Sequence, residues 1–310
     1  MRIVISEFMD ASAVDQLASH HDTLYDPQLV DRRDALKSEI VEADALIVRN
    51  RTLVNADLLA AAMRLKVVGR LGVGLDNIDV ATCESRGLLV IPATGANALA
   101  VAEYVIGTAL LLLRGAYGST AEVAAGKWPR THLSGGRELG GKTLGIVGFG
   151  GIGRLTARLG RALGMRVIGF DAQLAPNDLA WTDEQVEPRT LDGLLAQADV
   201  LTLHVPLVAA TRNLLDAARI GVMKPDAVII NTARGGVVDE AAIAAALRAG
   251  RLGGAALDVF EKEPLAAGSP LAGCPNLLLT PHIAGVTAES NERVSAMIAE
   301  RVIAALAARA

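Results

Sequence analysis

Thiols are almost absent from this chain of 310 residues: only Cys83 and Cys274 occur, too few and too far apart for a metal-ligand cluster or a disulfide framework. They read as two ordinary reduced cysteines, and no metal is expected. Cationic excess is missing as well. Lys and Arg number 30 against 34 Asp and Glu, for a net charge of −4, and no long basic run occurs, which argues against a nucleic-acid surface. The best membrane candidate, residues 101–113, carries Glu103 and is too short to span a bilayer, so a buried helix is expected there and no membrane association. The first residues, MRIVISEFMD, meet Glu7 and Asp10 too early for a secretion signal, and a cytoplasmic location is expected. Aromatic residues make up only 3% of the chain, and neither internal repeats nor low-complexity segments are found.

Apolar residues are plentiful, at 51%, with 31 glycines, which suits close packing of helices on sheets. The length allows two ordinary domains with large cores. Short apolar runs at 2–8, 45–48, 65–69 and 88–92 read as buried strands, separated by segments with helical periodicity. A second series begins at Lys142, with strands expected at 143–147, 166–170, 200–204, 228–232, 255–259 and 277–280. Such βα alternation implies an α/β fold with two doubly wound parallel sheets, each covered by helices on both faces. Residues 97–115 form a long helical pattern between them. Residues 130–141 read as a glycine-rich surface loop, and 287–310 as a terminal helix.

The segment Lys142–Gly153 contains G-x-G-x-x-G at Gly148, Gly150 and Gly153. A lone match is weak in a chain this rich in glycine, but here the motif follows an apolar strand and opens a helical pattern. A second strand then ends in Asp171, at the interval expected for a ribose-binding acid. Gly148 permits the tight turn, Gly150 lets backbone approach a pyrophosphate, and Gly153 lets helix and strand pack closely. Gly151 and Ile152 complete the helix N-terminus, whose N–H groups and dipole favour phosphate. NAD is the cofactor implied. Asp171 would repel a 2′-phosphate, and Ala172 and Gln173 supply no cation for one; Arg154 and Arg166 are the complicating charges. No Lys-Ser/Thr pair ends the motif, so a phosphate-transferring P-loop is excluded.

Three later segments end expected strands: INTARGG at 230–236, LDVFEKEP at 257–264 and TPHIAG at 280–285. Ligands bind beyond the carboxyl ends of strands in open α/β sheets. Arg234, Glu263 and His282 are therefore candidate catalytic residues. A histidine can donate a proton to an alkoxide near neutral pH, a carboxylate can orient it, and an arginine can fork onto a substrate carboxylate.

These segments resemble the D-isomer-specific 2-hydroxyacid dehydrogenase family, which includes phosphoglycerate dehydrogenase. The likeness extends to GRLGVGLDNID at 69–79, to Asn97 followed by Val101-Ala102-Glu103, and to His204-Val205-Pro206-Leu207. It implies a flavodoxin-like substrate domain from 1–96 and 285–310, a Rossmann NAD-binding domain from 97–284, and a cleft with hinges. It implies hydride transfer between NAD and C2 of a small 2-hydroxy or 2-keto acid. On the cofactor side it places His204, Val205, Pro206, Thr211, Thr232, Ala233, Arg234, Asp258 and His282. On the substrate side it places Arg49, Arg51, Arg70, Gly72, Val73, Gly74, Asn97, Arg234 and His282. Asp258 is expected to orient the nicotinamide amide, to support Arg234, or to act structurally. His204 is expected to serve the cofactor loop or the core, not to be the acid. His20, His21 and His132 are expected to be exposed, and Asp76 and Asp79 to cap a helix.

Arg49, Arg51 and Arg70 at the ends of neighbouring first-domain strands would favour a substrate with a second anion, unless they form a solvated basic edge. The expected order is sulfolactate, then 3-phosphoglycerate, then glycerate. Hydroxypyruvate or glyoxylate reduction and a non-catalytic NADH sensor are the alternatives. The long extra tails of a partner-binding regulator are lacking, and Glu263 stands against the formate dehydrogenase branch. A homodimer through the cofactor domains is expected, with Trp128 either reaching the partner or filling a local core.

Overall fold

The computed structural model describes residues 1–309; Ala310, expected from the sequence to end the terminal helix, lies outside the described residues. Two compact units emerge, one of Met1–Asn97 with Val286 onward and one of Ala98–Gly285.

The first unit holds β1 (Arg2–Ile5), β2 (Asp22–Tyr25), β3 (Ala45–Val48), β4 (Val67–Arg70) and β5 (Leu89–Pro92). All pair in parallel, in the order β2-β1-β3-β4-β5, the flavodoxin-like arrangement. The strand β3 is Ala-Leu-Ile-Val and is buried throughout, as both faces are covered. Helices α1 (Ala11–Ala18), α2 (Arg33–Glu39), α3 (Ala56–Ala61) and α4 (Val80–Ser85) connect the strands. Side chains of Asp10, Asn55 and Asp79 accept N–H groups at the starts of α1, α3 and α4. The terminal helix (Ala288–Ala307) packs Val294, Ile298, Val302 and Leu306 on one face of the sheet. A Cβ at Gly69 would lie 2.9 Å from Ile298, so that glycine sets how closely helix and strand approach.

Several expectations are corrected. The first strand stops at Ile5, because Ser6 and Glu7 turn their polar groups to the loop at 49–52 and Phe8 is exposed. The strand β2, Asp-Thr-Leu-Tyr, was not expected; on a sheet edge it lacks the apolar run that marks the others. His21 is half-buried rather than exposed. Asp79 caps α4, whereas Asp76 is exposed and lies before the cap.

The second unit runs α5 (Ala98–Arg114), α6 (Thr120–Ala124), β6 (Thr143–Val147), α7 (Gly151–Ala162), β7 (Arg166–Phe170), α8 (Leu179–Asp183), β8 (Glu187–Pro188), α9 (Leu191–Gln197), β9 (Val200–Leu203), α10 (Ala217–Val222), β10 (Val228–Asn231), α11 (Glu240–Arg248), β11 (Gly254–Leu257) and β12 (Leu277–Leu279). Its seven strands are parallel, in the order β12-β11-β10-β9-β6-β7-β8. The chain enters at β6, winds outward to β8, then crosses to β9 and winds the other way. Strand order therefore reverses between β6 and β9, where open α/β sheets bind ligands. Val105, Ala109 and Leu112 of α5 pack with Ala157 of α7 against Ile146 and Ile230. The other face rests on α9 to α11 through Leu195, Ile220 and Ile243. The two-residue edge strand β8 was not expected, being too short for a periodic signal. Among the described residues no single helix is long and apolar enough to cross a membrane, and no cluster of His, Cys, Asp and Glu could hold a metal.

Candidate functional site

The glycine motif sits where the strand order reverses. Gly148 follows β6 with a φ of 94°, and a Cβ there would lie 2.4 Å from the His204 carbonyl oxygen after β9. A Cβ on Gly153 would lie 2.3 Å from the Gly148 oxygen. Both positions require glycine, one for its conformation and both for close approach. At Gly150 and Gly151, by contrast, no atom beyond the adjoining chain lies within 4 Å of where a Cβ would stand, and no side chain caps α7. The first N–H groups of that helix are thus left for an external acceptor over an open backbone surface.

Asp171, after β7, accepts the Phe149 N–H at 2.7 Å through one oxygen and the Gln173 N–H at 2.8 Å through the other. Its carboxylate is fixed against the glycine loop and has acceptor capacity beyond these two bonds. Beyond β10, Thr232 Oγ1 is buried without a hydrogen-bond partner. The donor set and the cradle fit a dinucleotide. Thr211, by contrast, uses its hydroxyl on the Pro206 oxygen at 2.6 Å and on the Val208 N–H at 2.8 Å, closing the loop of Val205 and Pro206.

His204 Nε2 lies 3.1 Å from Thr202 Oγ1. Burial pushes its pKa down to about 4, so the ring is neutral near pH 7 and is not an imidazolium acid.

The loop after β10 is shaped by Asn231, which the sequence did not single out. Its side chain accepts the Ala233 N–H and donates to the Arg234 carbonyl, both at 3.0 Å. Arg234 Nη1 donates to the Ala233 oxygen at 2.7 Å. A Cβ on Gly235 would lie 1.8 Å from the Phe260 oxygen, so this loop and the one carrying Glu263 are pressed backbone to backbone. Glu263 Oε1 accepts the Phe260 N–H at 3.1 Å, and Oε2 meets His282 Nδ1 at 2.8 Å. Glu263 and His282 thus form a direct pair, open to solvent, and Arg234 stands on an adjoining loop. His282 has a φ of 56°, a left-handed backbone uncommon for a residue with a side chain.

Asp258 explains how that backbone is held. Its carboxylate accepts N–H groups of Ile283 and Ala284, each at 2.8 Å, and the Thr280 hydroxyl at 2.6 Å, while its carbonyl accepts the His282 N–H at 2.8 Å. Of the roles expected for Asp258, the structural one is occupied. Thr280 in turn meets Tyr104 of α5, with 2.6 Å between the oxygens.

In the first unit, the loop after β3 is braced by the buried Glu7, whose carboxylate accepts N–H groups of Arg49, Arg51 and Thr52 at 2.9, 3.1 and 2.9 Å. Asn77 donates to the Arg49 and Thr52 carbonyls. The two loop arginines part company. Arg51 ion-pairs with Asp31 at the surface. Arg49 is mostly buried, lies 5.8 Å from the Phe8 ring centroid and donates to Asn291 Oδ1 at 2.9 Å. Burial lowers its pKa, and the Glu7 carboxylate acts against that shift. Among the described residues no carboxylate pairs with the Arg49 guanidinium. After β4, Arg70 folds over Gly72, where a Cβ would fall 1.7 Å from Nη1. The Gly72 N–H is taken by the Arg70 oxygen at 2.8 Å, which leaves Val73 and Gly74 as the donors of that turn. Asn97 keeps a buried Oδ1 without a partner.

Comparison with known proteins identifies the family. Residues 106–284 match the model of the D-isomer specific 2-hydroxyacid dehydrogenase, NAD binding domain. The chain is 52% identical over 309 residues to (S)-sulfolactate dehydrogenase of Chromohalobacter salexigens, covering 99% of each. It is 42% identical over 275 residues to D-3-phosphoglycerate dehydrogenase of Mycobacterium bovis, covering 89% of this chain but 51% of that one, so it spans about half the length of that relative. The crystal structure of TT0316 protein from Thermus thermophilus superposes with a TM-score of 0.86 at 32% identity, over 99% of this chain and 97% of that one. A Rossmann unit with an open phosphate cradle, an acid after its second strand and a paired Glu–His lies within the matched residues. The chain belongs to the D-isomer specific 2-hydroxyacid dehydrogenase family and is an NAD-dependent oxidoreductase that transfers hydride between the nicotinamide and C2 of a small 2-hydroxy or 2-keto acid.

Proposed function

We propose that the substrate is an acidic three-carbon 2-hydroxy acid carrying a second anion, with sulfolactate first, 3-phosphoglycerate second and glycerate behind both. The observation that carries this reading is the state of Arg49: a largely buried cation whose guanidinium is held by the neutral amide of Asn291 and the face of Phe8, with no direct ion pair, while the nearby Glu7 carboxylate is spent on backbone N–H groups and offsets the burial only in part. A buried charge without a direct ion-pair partner is costly, and an anionic substrate group reduces that cost. The 52% identity to a sulfolactate dehydrogenase adds to this order. Arg51 has Asp31 and is given the lesser part. The test compares kcat/KM for sulfopyruvate, phosphohydroxypyruvate and hydroxypyruvate in the native enzyme and in Arg49→Ala and Arg51→Ala. The sulfonate or phosphate substrate should lead, and Arg49→Ala should erase that lead. Hydroxypyruvate leading in all three enzymes points to a reductase of keto acids without a second anion. No turnover with any keto acid, despite tight NADH binding, points to an NADH sensor.

The site residues are assigned as follows. NAD when bound supplies or accepts the hydride. The N–H groups at Gly150–Gly153 hold its pyrophosphate, Asp171 its ribose hydroxyls, and the loops at 204–206 and 232–233 flank it. The repulsion between Asp171 and a 2′-phosphate favours NAD over NADP. Arg234 grips the substrate carboxylate, and the N–H groups of Val73 and Gly74 offer a second grip on an anion. His282 gives its proton to the C2 oxygen during reduction and takes it back during oxidation. Glu263 holds Nδ1, leaving Nε2 for the substrate.

A homodimer through the cofactor units is part of the proposal. Leu99, Leu110 and Leu111 of α5 are exposed, with Tyr117 and Val123 close after them in the chain. Trp128 is 77% exposed, which removes its local-core alternative. Sedimentation at micromolar concentration tests this, and a monomer there refutes it. The free thiols of Cys83 and Cys274 fit a reducing compartment such as the cytoplasm.

A further inference from the structure

Three polar side chains in the second unit lead from the long helix to the turn that carries His282. Tyr104 lies on α5, Thr280 just after β12, and Asp258 just after β11. The direction of each hydrogen bond follows from proton counting. Thr280 has one hydroxyl proton, and the Asp258 carboxylate, 2.6 Å away, can only accept it. The proton between Tyr104 and Thr280, whose oxygens are also 2.6 Å apart, must then come from the phenol. Burial pushes the Tyr104 pKa up, which keeps that proton in place through the neutral range.

Every donor that the Asp258 carboxylate accepts lies within 280–284, around His282. Its side chain takes the N–H groups of Ile283 and Ala284, the two residues after the histidine, and its carbonyl takes the histidine's own N–H. The turn needs such clamping because His282 sits at a φ of 56°, which a side chain disfavours. The carboxylate is buried, at 1% exposure, so each donor it loses is not replaced by bulk water.

We propose that Tyr104 and Thr280 are positioning residues for the proton transfer: the chain Tyr104–Thr280–Asp258 fixes the left-handed backbone of His282 and thereby keeps its Nδ1 on Glu263. The inference rests on His282 being the proton donor, as assigned above. Neither residue touches substrate. Their effect falls on the fraction of enzyme in which the Glu263–His282 pair is formed.

The phenol and hydroxyl can be removed one at a time. Tyr104→Phe and Thr280→Val each delete one link, Thr280→Ser keeps the hydroxyl, and the double variant tests coupling. NADH affinity and urea midpoints establish that each variant is folded and binds cofactor. Tyr104→Phe is expected to lower kcat for keto-acid reduction ~3- to 10-fold and Thr280→Val ~10-fold or more, given that small misplacements of a reacting group cost up to ~100-fold. In both, KM for the keto acid should stay near native while kcat falls, because neither side chain touches substrate. Thr280→Ser should restore the native kcat. The double variant should be no slower than Thr280→Val alone, as expected for links in one chain. A native kcat in Tyr104→Phe, a loss that falls on KM and not on kcat, or losses that multiply in the double variant, overturn the proposal and leave Tyr104 a packing residue. Full activity in His282→Asn, measured in parallel, overturns instead the assignment of the proton donor.

Discussion

Glu263 Oε2 and His282 Nδ1 lie 2.8 Å apart, and the same glutamate accepts the Phe260 N–H through its other oxygen. The glutamate thereby orients the imidazole through Nδ1 and leaves Nε2 outside this pair. His282→Asn should leave the NADH dissociation constant near its native value and cut kcat by ~100-fold or more, the range for a lost general acid. Glu263→Gln should lower kcat for keto-acid reduction and leave NADH affinity near native, since His282 loses the carboxylate that orients it. Turnover near native in His282→Asn defeats the assignment.

Gly235 touches no ligand in the assignment above, yet it should be among the least replaceable positions. Its Cβ would fall 1.8 Å from the Phe260 oxygen, a backbone atom that cannot swing aside. Gly235→Ala must therefore separate the Arg234 loop from the Glu263 loop. A stability loss of ~1–3 kcal/mol is expected from overpacking. The loss in kcat should be larger, ~100-fold, because two reacting groups are moved apart. A urea midpoint and kcat both near native would show that the loops are not coupled.

Cofactor choice should reside in Asp171. The ratio of kcat/KM for NADH over NADPH should favour NADH in the native enzyme. Asp171→Ser should shrink it by removing the repulsion. Since the carboxylate also holds the Phe149 N–H, this variant should bind both cofactors less tightly and not simply exchange them. A native enzyme that prefers NADPH contradicts the role given to Asp171.

His204 should make the fold acid-sensitive. Its pKa falls from 6.5 to about 4 on folding, so the unfolded chain takes up the proton first as pH drops. Stability from this group is fully present above pH 6.5 and is lost as pH falls through that value towards 4, by a few kcal/mol at most. Urea midpoints between pH 7 and 5 should decline, and His204→Asn should remove part of that decline. Identical slopes in the two proteins would place the acid sensitivity elsewhere.

Much of this molecule follows from local pattern. The apolar runs of β3, β6 and β10 announce themselves because strands buried on both faces leave no polar alternation. The glycine motif is legible because Gly148 and Gly153 answer to turn geometry and close packing within a short stretch of chain. Arg234, Glu263 and His282 follow from their strand ends and from the chemistry of a keto acid. What the linear order does not contain is the choice of partner. Arg49 and Arg51 stand two positions apart with the same side chain, yet one meets Asn291, 242 residues away, and the other Asp31. Tyr104 and Thr280 are 176 residues apart and share a hydrogen bond that no spacing rule predicts. The edge strand β2 gains its place from β1, not from its own half-exposed residues. Period and turn chemistry are set by neighbours in the chain, so the sequence determined the parallel sheets and the glycine turn, and marked the side chains proposed to react. Charge pairing, desolvation and the clamp on His282 depend on groups that only the folded sheets bring within hydrogen-bond distance, so tertiary structure decided which arginine ion-pairs at the surface, which one meets a neutral amide, and what holds the histidine in place.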